Sequence, residues 1–195
     1  MTTFPGKDDG GLYVELVIVM ALVATLAGLA TPVTAQVIDA GRARQAAGFI
    51  AARFRMARQL AVVRTAAIGV VFDLVDGRWT FRVCQDGNKN GIRRADVGGV
   101  DACREGPYDI EAMFPGVSIA VDGTLPGPEG DPASSDPVRF GRSNIASFSY
   151  SGSCTAGTLY LRSVRKNQYA VRVGNISGRT RLLKFDPGTR KWLPA

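Results

Sequence analysis

The chain has 195 residues, which leaves room for one domain and an appended element. It carries a formal net charge of +7 and contains no histidine. This excludes Ser-His-Asp and Cys-His catalytic sites and removes the commonest metal ligand. Because no other nucleophile–base pair and no cofactor motif stands out, we expect neither an enzyme nor a cofactor.

The charge is unevenly distributed along the chain. Residues 85–136 hold ten acidic and four basic side chains, whereas residues 162–191 hold nine basic side chains and one acidic one. A basic segment of this kind can attract nucleic acid or anionic lipid. It is equally typical of the solvated face of a sheet, so both interpretations stay open.

The first element in chain order is an uncharged apolar segment from Leu16 to Ile38. A helix of that length rises roughly 30 Å and can cross a bilayer. A secretory signal peptide would have a shorter apolar core with its small-residue cleavage site behind it. Here the apolar run is long and the small residues come first, which predicts a transmembrane helix over residues 11–38.

The residues around this segment carry a family resemblance. Residues 10–20 read GGLYVELVIVM, which resembles the processing site and N-terminal helix of type IV pilins and pseudopilins. In that family a prepilin peptidase cuts after a glycine, the fifth mature residue is a glutamate, and a proline is common at the twenty-second. Cleavage between Gly10 and Gly11 makes Glu15 the fifth residue and Pro32 the twenty-second. The resemblance implies a leader peptide over residues 1–10, N-terminal methylation, and pairing of Glu15 with the terminal amine of a neighbouring subunit.

Physical arguments favour the same two positions. A carboxylate at the edge of an apolar span is costly unless it finds a partner, which gives Glu15 a reason to seek another subunit. Pro32 removes one helical hydrogen bond and is predicted to kink or locally unwind the helix, at a cost of about 3 kcal/mol if uncompensated. The alternative is a simple signal anchor in which both residues are incidental.

The helix is predicted to continue as an amphipathic half over residues 39–64. Arg42, Arg53 and Arg64 fall on other faces than the apolar stripe, so this half should pack against a sheet. The stripe consists of Ala43, Ala47, Ile50, Phe54, Ala57 and Ala61.

Beyond residue 64 the apolar period changes to two. Alternation over residues 68–75 and 78–83 predicts two strands, joined at Asp76-Gly77 by a hairpin turn. Further strands are predicted at 117–121, 138–140, 145–150, 158–163, 168–173 and 179–185, with a Gly- and Pro-rich loop at 125–130. The expected fold class is α+β, a long N-terminal helix packed on an antiparallel, β-sandwich-like domain formed by residues 65–195.

This domain resembles the GspH/FimT class of minor pseudopilins. The resemblance implies a subunit of a type II secretion pseudopilus or a type IV pilus tip. Its expected partners are other minor and major pseudopilins, the prepilin peptidase and the inner membrane. The chain would cross that membrane once and place the β-rich domain in the periplasm.

Two cysteines flank an Asn- and Gly-rich loop. A disulfide between Cys84 and Cys103 would close this loop and stabilise the fold by about 3 kcal/mol. The bridge leaves Cys154 outside it, and the alternative is three reduced, unrelated thiols.

The same loop resembles the first half of a calcium-binding EF-hand. Asp86, Asn88 and Asn90 stand at positions one, three and five. Position twelve is Val97 and offers no ligand, so a tight Asn/Gly turn is the favoured interpretation and no metal is favoured.

The last motif, Gly178-Arg179-Thr180-Arg181, looks like the Gly-Arg-x-Arg signature of FimT-type minor pilins, which implies DNA binding. In an extended strand Arg179 and Arg181 point to one side, roughly 7 Å apart, which suits successive phosphates. Arg162, Arg172 and Lys184 are available to extend the patch. The alternative is that these side chains merely solvate the outer face of a C-terminal hairpin.

Overall fold

The structure is a computed structural model that describes residues 9–174 and 178–195, without the side chains of residues 9, 10, 12 and 29–33. Most of the predicted leader therefore lies outside the described residues. The chain forms two compact units, residues 1–38 and 39–195. The first helix, α1 (Asp9–Arg64), contributes to both.

The first unit exposes the apolar side chains of α1. Ten large ones between Tyr13 and Leu26 are each more than half exposed. Among the residues that the structure describes, no helix is both long enough and apolar enough to cross a membrane. The span predicted for residues 11–38 is therefore not confirmed. Pro32 lies within the bounds of α1, but its side chain is outside the described set, and the kink stays a prediction.

In the second unit the apolar stripe of α1 is buried as predicted. Ala43, Ala47, Phe54 and Ala61 have no exposed surface, and Ile50 and Ala57 have about 1%. Arg42 and Arg64 are exposed, whereas Arg53 is partly buried. The spacing of small and large apolar residues thus defines a helix face that packs into a core.

In the part of the chain that the structure describes, ten strands and one further helix follow α1. They are β1 (Ile68–Val75), β2 (Arg78–Gln85), β3 (Ala102–Asp109), α2 (Ile110–Met113), β4 (Val117–Ser118), β5 (Val138–Arg139), β6 (Ile145–Phe148), β7 (Gly157–Ser163), β8 (Gln168–Val173), β9 (Thr180–Asp186) and β10 (Lys191–Pro194).

The described strands form two sheets, and each strand pairing within these sheets is antiparallel. The smaller sheet has the order β3-β2-β1-β6, and the larger has the order β10-β9-β8-β7-β4, with β5 also paired to β7. The predicted hairpin is confirmed: β1 and β2 pair from Ile68–Gln85 to Val75–Arg78, and Asp76 and Gly77 both have positive φ at the turn. A turn with two positive φ angles matches the twist of the flanking strands.

Three elements were not predicted, namely β3, β10 and α2. β3 is an edge strand whose sequence contains Gly106 and Pro107, and neither residue favours a strand. β10 contains four residues at the other sheet's edge, too few for an alternating pattern. The α+β class is confirmed, but long-range pairing adds strands that local periodicity does not reveal.

One core joins the amphipathic half of α1 to both sheets. Phe54 of α1 lies between the sheets' aromatic residues, with ring centroids 6.2 Å from Phe72 and 5.5 Å from Phe140. Phe72 and Phe140 stack on each other at 5.9 Å. All three rings are fully buried in one cluster that also contains Leu159 and Val171 of the larger sheet. This core fixes which face of the larger sheet is left outside.

Candidate functional sites on the first helix and the larger sheet

The predicted assembly site lies on the exposed part of α1. Gly10 and Gly11, the residues of the predicted cleavage bond, fall within the bounds of the helix. The Glu15 side chain is exposed and stands among exposed apolar neighbours such as Val14 and Leu16. The described helix surface thus presents the Glu15 carboxylate among apolar side chains. Such a surface is suited to being covered by lipid or by other protein molecules.

The Asn- and Gly-rich loop is closed at its base by a disulfide. Cys84 and Cys103 are directly opposed on β2 and β3 and are joined covalently. This bond ties the edge strand β3 to the sheet at the point where the loop leaves and re-enters it.

Inside the loop the acidic side chains bind the loop's own backbone. Both carboxylate oxygens of Asp86 accept backbone N–H groups, from Asn88 and Lys89 on one and Gly91 on the other, at 2.8–3.1 Å. The side-chain amides of Asn88 and Asn90 donate to Asp96. These contacts are those of an Asx-type turn. Across the described part of the chain, no group of three or more acidic or thiol side chains is arranged to hold a metal.

The larger sheet has one core-facing side and one side turned away from the core, which we call the outer face. Because side chains alternate along a strand, Tyr160, Arg172 and Arg181 share the outer face, while Leu159, Tyr169 and Val171 face the core.

The predicted basic patch is divided between these two sides. Arg172 and Arg181 are direct cross-strand partners, and Arg162 lies on the same outer face. Lys184 is the cross-strand partner of core-facing Tyr169 and therefore projects to the opposite side. Lys184 and Arg181 therefore lie on opposite sides of β9, because two side chains of one strand share a face only at an even separation.

An acidic segment of the chain covers part of the outer face. We call residues 122–132 the acidic strap. β4 and β5, which flank it, pair with the same strand β7, so the chain must leave and return at one edge of the sheet. The strap carries Asp122, Glu129 and Asp131.

The strap neutralises two of the predicted DNA-binding arginines. Arg172 contacts Glu129 at 2.5 Å and Asp131 at 3.4 Å, and its side chain is only 19% exposed. Arg162 lies 3.8 Å from Asp122. Hydrogen bonds from the Thr124 hydroxyl and backbone, with Arg162 adding a smaller effect, lower the pKa of Asp122, so this carboxylate stays ionised.

Two further contacts fix the strap through its backbone carbonyls. The Trp192 indole N–H donates to the Pro126 carbonyl at 2.7 Å, and Arg139 donates to the Pro132 carbonyl at 3.1 Å. Trp192 itself packs on Tyr160 and Phe185. The outer face therefore binds both the carboxylates and the backbone carbonyls of the strap. The sequence indicates an acid-rich segment but not its position on the outer face, because strand pairing in the larger sheet determines that position.

The remaining predicted arginines, Arg179 and Arg181, are exposed beside the strap. They line a groove of about 480 Å³ together with Glu129, Trp192 and Pro194. With Arg172, which also lines it, the groove has three guanidinium groups, several apolar side chains and one carboxylate.

The glycine of the Gly-Arg-x-Arg motif has a packing role. Gly178 has a φ of +58°, and a Cβ there would lie 2.8 Å from the Arg58 guanidinium and 2.9 Å from the Gly152 carbonyl oxygen. Arg58 also donates to that carbonyl. Only glycine combines this backbone angle with such close neighbours, so the motif's first residue lets the segment before β9 approach Arg58 of α1 closely.

Cys154, the cysteine outside the bridge, is buried. Its thiol donates to the Gly174 carbonyl at 2.7 Å, and burial raises its pKa. A buried thiol held in its protonated form is a structural group, not a nucleophile.

Comparisons with known proteins add one likeness in fold. No protein-family profile and no curated protein sequence matches the chain. Among solved structures, the minor pseudopilin EpsH from the type 2 secretion system of Vibrio cholerae matches over 73% of this chain and 97% of its own, with 17% sequence identity and a TM-score of 0.42.

Proposed function

We propose that the chain is a minor pseudopilin, a non-enzymatic subunit of a type II secretion pseudopilus or of a type IV pilus tip. The observation that carries the proposal is the surface of α1, where ten large apolar side chains between Tyr13 and Leu26 surround exposed Glu15. Such a surface is stable when lipid or other helices cover it. The agreement of Glu15 and Pro32 with one cleavage register supports the same proposal.

In this proposal each region of the chain has a separate task. A peptidase removes residues 1–10, and residues 11–38 anchor the subunit in the inner membrane. The carboxylate of Glu15 pairs with the terminal amine of a neighbouring pseudopilin, because a charge in an apolar setting gains most from an opposite charge. The β-rich domain then lies on the periplasmic side and contacts other minor pseudopilins.

Leader cleavage is tested by intact mass spectrometry of the protein extracted from membranes. We expect a chain that begins at Gly11 and carries an N-terminal methyl group. A Gly10→Val variant is the control and should retain the leader. A full-length leader on the unaltered protein, in cells with an active prepilin peptidase, contradicts the proposal.

The role of Glu15 is tested by a Glu15→Ala variant. We expect it to reach the membrane fraction in normal amount but to be absent from purified filaments, because the inter-subunit ion pair is lost. Thr25→Ala is the matched control, since Thr25 is a polar residue of the same helix whose hydroxyl donates to the Leu22 carbonyl in its own turn. Normal incorporation of Glu15→Ala removes the assembly role.

A second candidate function is capture of DNA at a pilus tip. The observation that favours it is the exposure of Arg179 and Arg181 on one side of a groove. The strap acts against it, since Arg162 and Arg172 already face carboxylates. A DNA site on this face would therefore be smaller than the sequence alone predicts.

DNA capture is tested by fluorescence anisotropy of a labelled duplex across a salt series, with the full chain in non-ionic detergent. We expect Arg179→Ala/Arg181→Ala to lower the salt slope by about one unit for each lost phosphate contact. Lys184→Ala/Lys191→Ala removes the same charge from the other side of the sheet and serves as control. Equal effects of the two double variants, or no binding at low salt, rule out this candidate.

A further inference from the structure

The outer face of the larger sheet already binds an acidic segment, because the strap of the same chain lies on it. Its carboxylates lie on Arg172 and Arg162, and its backbone carbonyls accept from Trp192 and Arg139. Here guanidinium groups bind carboxylates and an indole N–H binds a backbone carbonyl. This combination of contacts suits a peptide, since nucleic acid has no peptide carbonyl.

The contacts that hold the strap are ones that a competitor can replace. Glu129 is 56% exposed and Asp131 is 45% exposed, so water and salt screen both ion pairs. Glu129 also lines the groove that contains Arg179 and Arg181. A second acidic chain that enters this groove would therefore lie next to the Glu129 carboxylate of the strap.

The groove has the composition of a continuation of the same site. Arg181 is the cross-strand partner of Arg172, so its charge extends the row of guanidinium groups onto β9. Trp192, Leu183 and Pro194 give this groove an apolar floor. Aromatic side chains beside arginine are typical of surfaces that bind peptides.

We propose that the outer face of the larger sheet is a docking surface for an extended acidic peptide of a partner protein, and that the strap is its intramolecular occupant. The tethered strap competes at an effective concentration in the millimolar range, so the unaltered protein binds such a partner only weakly. Displacement of Glu129 and Asp131 from Arg172 opens the surface. This inference does not depend on the proposed pseudopilin function.

The test uses the full chain in non-ionic detergent and a fluorescein-labelled peptide with the sequence of residues 120–133. Anisotropy is measured for the unaltered protein and for Glu129→Gln/Asp131→Asn. The amide substitutions keep size and shape but remove the carboxylates that occupy Arg172. We expect the double variant to bind the peptide at least about tenfold more tightly, because the tethered competitor is weakened.

Three further proteins sharpen this result. Adding Arg172→Gln to the double variant should abolish the gain, because the carboxylate receptor is lost. Asp122→Asn alone should give a smaller gain through Arg162. Asp76→Asn/Glu111→Gln removes the same negative charge at the β1–β2 turn and in α2, and should bind like the unaltered protein.

Definite results overturn the proposal. These are equal peptide affinity in the unaltered and Glu129→Gln/Asp131→Asn proteins, or a gain of the same size in the Asp76→Asn/Glu111→Gln control. A single-stranded DNA of equal charge provides the remaining arm. If the DNA binds as tightly as the peptide and gains as much from the strap substitutions, the surface recognises polyanions in general and the peptide assignment is wrong.

Discussion

The two halves of α1 contain similar apolar residues but expose them to opposite degrees. Leu22 is 58% exposed in the first half, whereas Phe54 in the second has no exposed surface. The second half concentrates its apolar residues on one face, and the two sheets cover that face. The first half is apolar all around, a pattern typical of a helix that a membrane or the core of a larger assembly covers. The comparison teaches that the second half is stabilised from within the molecule, while the first depends on what surrounds it.

The largest expected effect comes from truncating a buried side chain in the second half of α1 and comparing it with an exposed one in the first half. Phe54→Ala should lower the free energy of unfolding by about 3–5 kcal/mol, because it removes a fully buried ring and leaves a cavity. Leu22→Ala, the matched truncation in the first half, should change it by less than about 0.5 kcal/mol. Urea unfolding followed by tryptophan fluorescence in detergent measures both. Similar losses for the two variants would mean that the halves are not energetically distinct.

The disulfide should act only on the second unit, to which Cys84 and Cys103 belong. Cys84→Ser/Cys103→Ser is expected to lower the free energy of unfolding by about 3 kcal/mol, because an unfolded chain without the bridge has more conformations. Membrane association through the first half should not change. Adding reductant should destabilise the unaltered protein and leave the double variant as it was. Insensitivity of the unaltered protein to reductant would show that the bridge adds no stability.

The close approach of the segment before β9 to Arg58 of α1 depends on Gly178. Gly178→Ala should lower the free energy of unfolding by about 1–3 kcal/mol, because alanine disfavours a positive φ and its methyl group would meet the Arg58 side chain. Gly188→Ala is the control, because a Cβ there meets its nearest atom at an ordinary 3.6 Å. Thermal unfolding of the pair distinguishes them, and equal melting temperatures would contradict the packing role.

The smallest expected effect is on stability at high pH, through a hydrogen bond between Tyr169 and the start of the second unit. The Tyr169 hydroxyl donates to the Ala40 carbonyl, and burial raises the pKa of Tyr169, with Arg44 opposing and Asp39 adding to the shift. The folded state therefore holds this proton more tightly than the unfolded state. Its contribution to stability is complete below about pH 10 and is lost as the pH rises through the folded-state pKa.

Tyr169→Phe should remove that part of the alkaline loss of stability, at most about 1.4 kcal/mol per pH unit. Urea unfolding at pH 8 and above pH 10 measures the change. Because Tyr160 is also buried with a raised pKa, Tyr160→Phe is a useful comparison within the same sheet. An unchanged pH dependence in Tyr169→Phe would mean that this phenol does not link folding to pH.

Local patterns in the sequence determined the elements whose signals repeat over a few residues. The stripe from Ala43 to Ala61 identified the buried helix face, and the alternation around Asp76-Gly77 identified the β1–β2 hairpin. The sequence also placed Cys84 and Cys103 at the two ends of one loop. Each of these features depends on neighbours along the chain, which is why one sequence suffices for them.

Only the tertiary structure decided the features that depend on distant parts of the chain. Strand β3 exists because β2 offers it an edge, although Gly106 and Pro107 disfavour a strand. The strap lies on the outer face because β4 and β5 pair with the same strand, β7. The separation of Lys184 from Arg181 follows from which side of β9 faces the core. Charge can be counted from a sequence, but which charges meet is set by strand register and by burial, and both are properties of the folded chain.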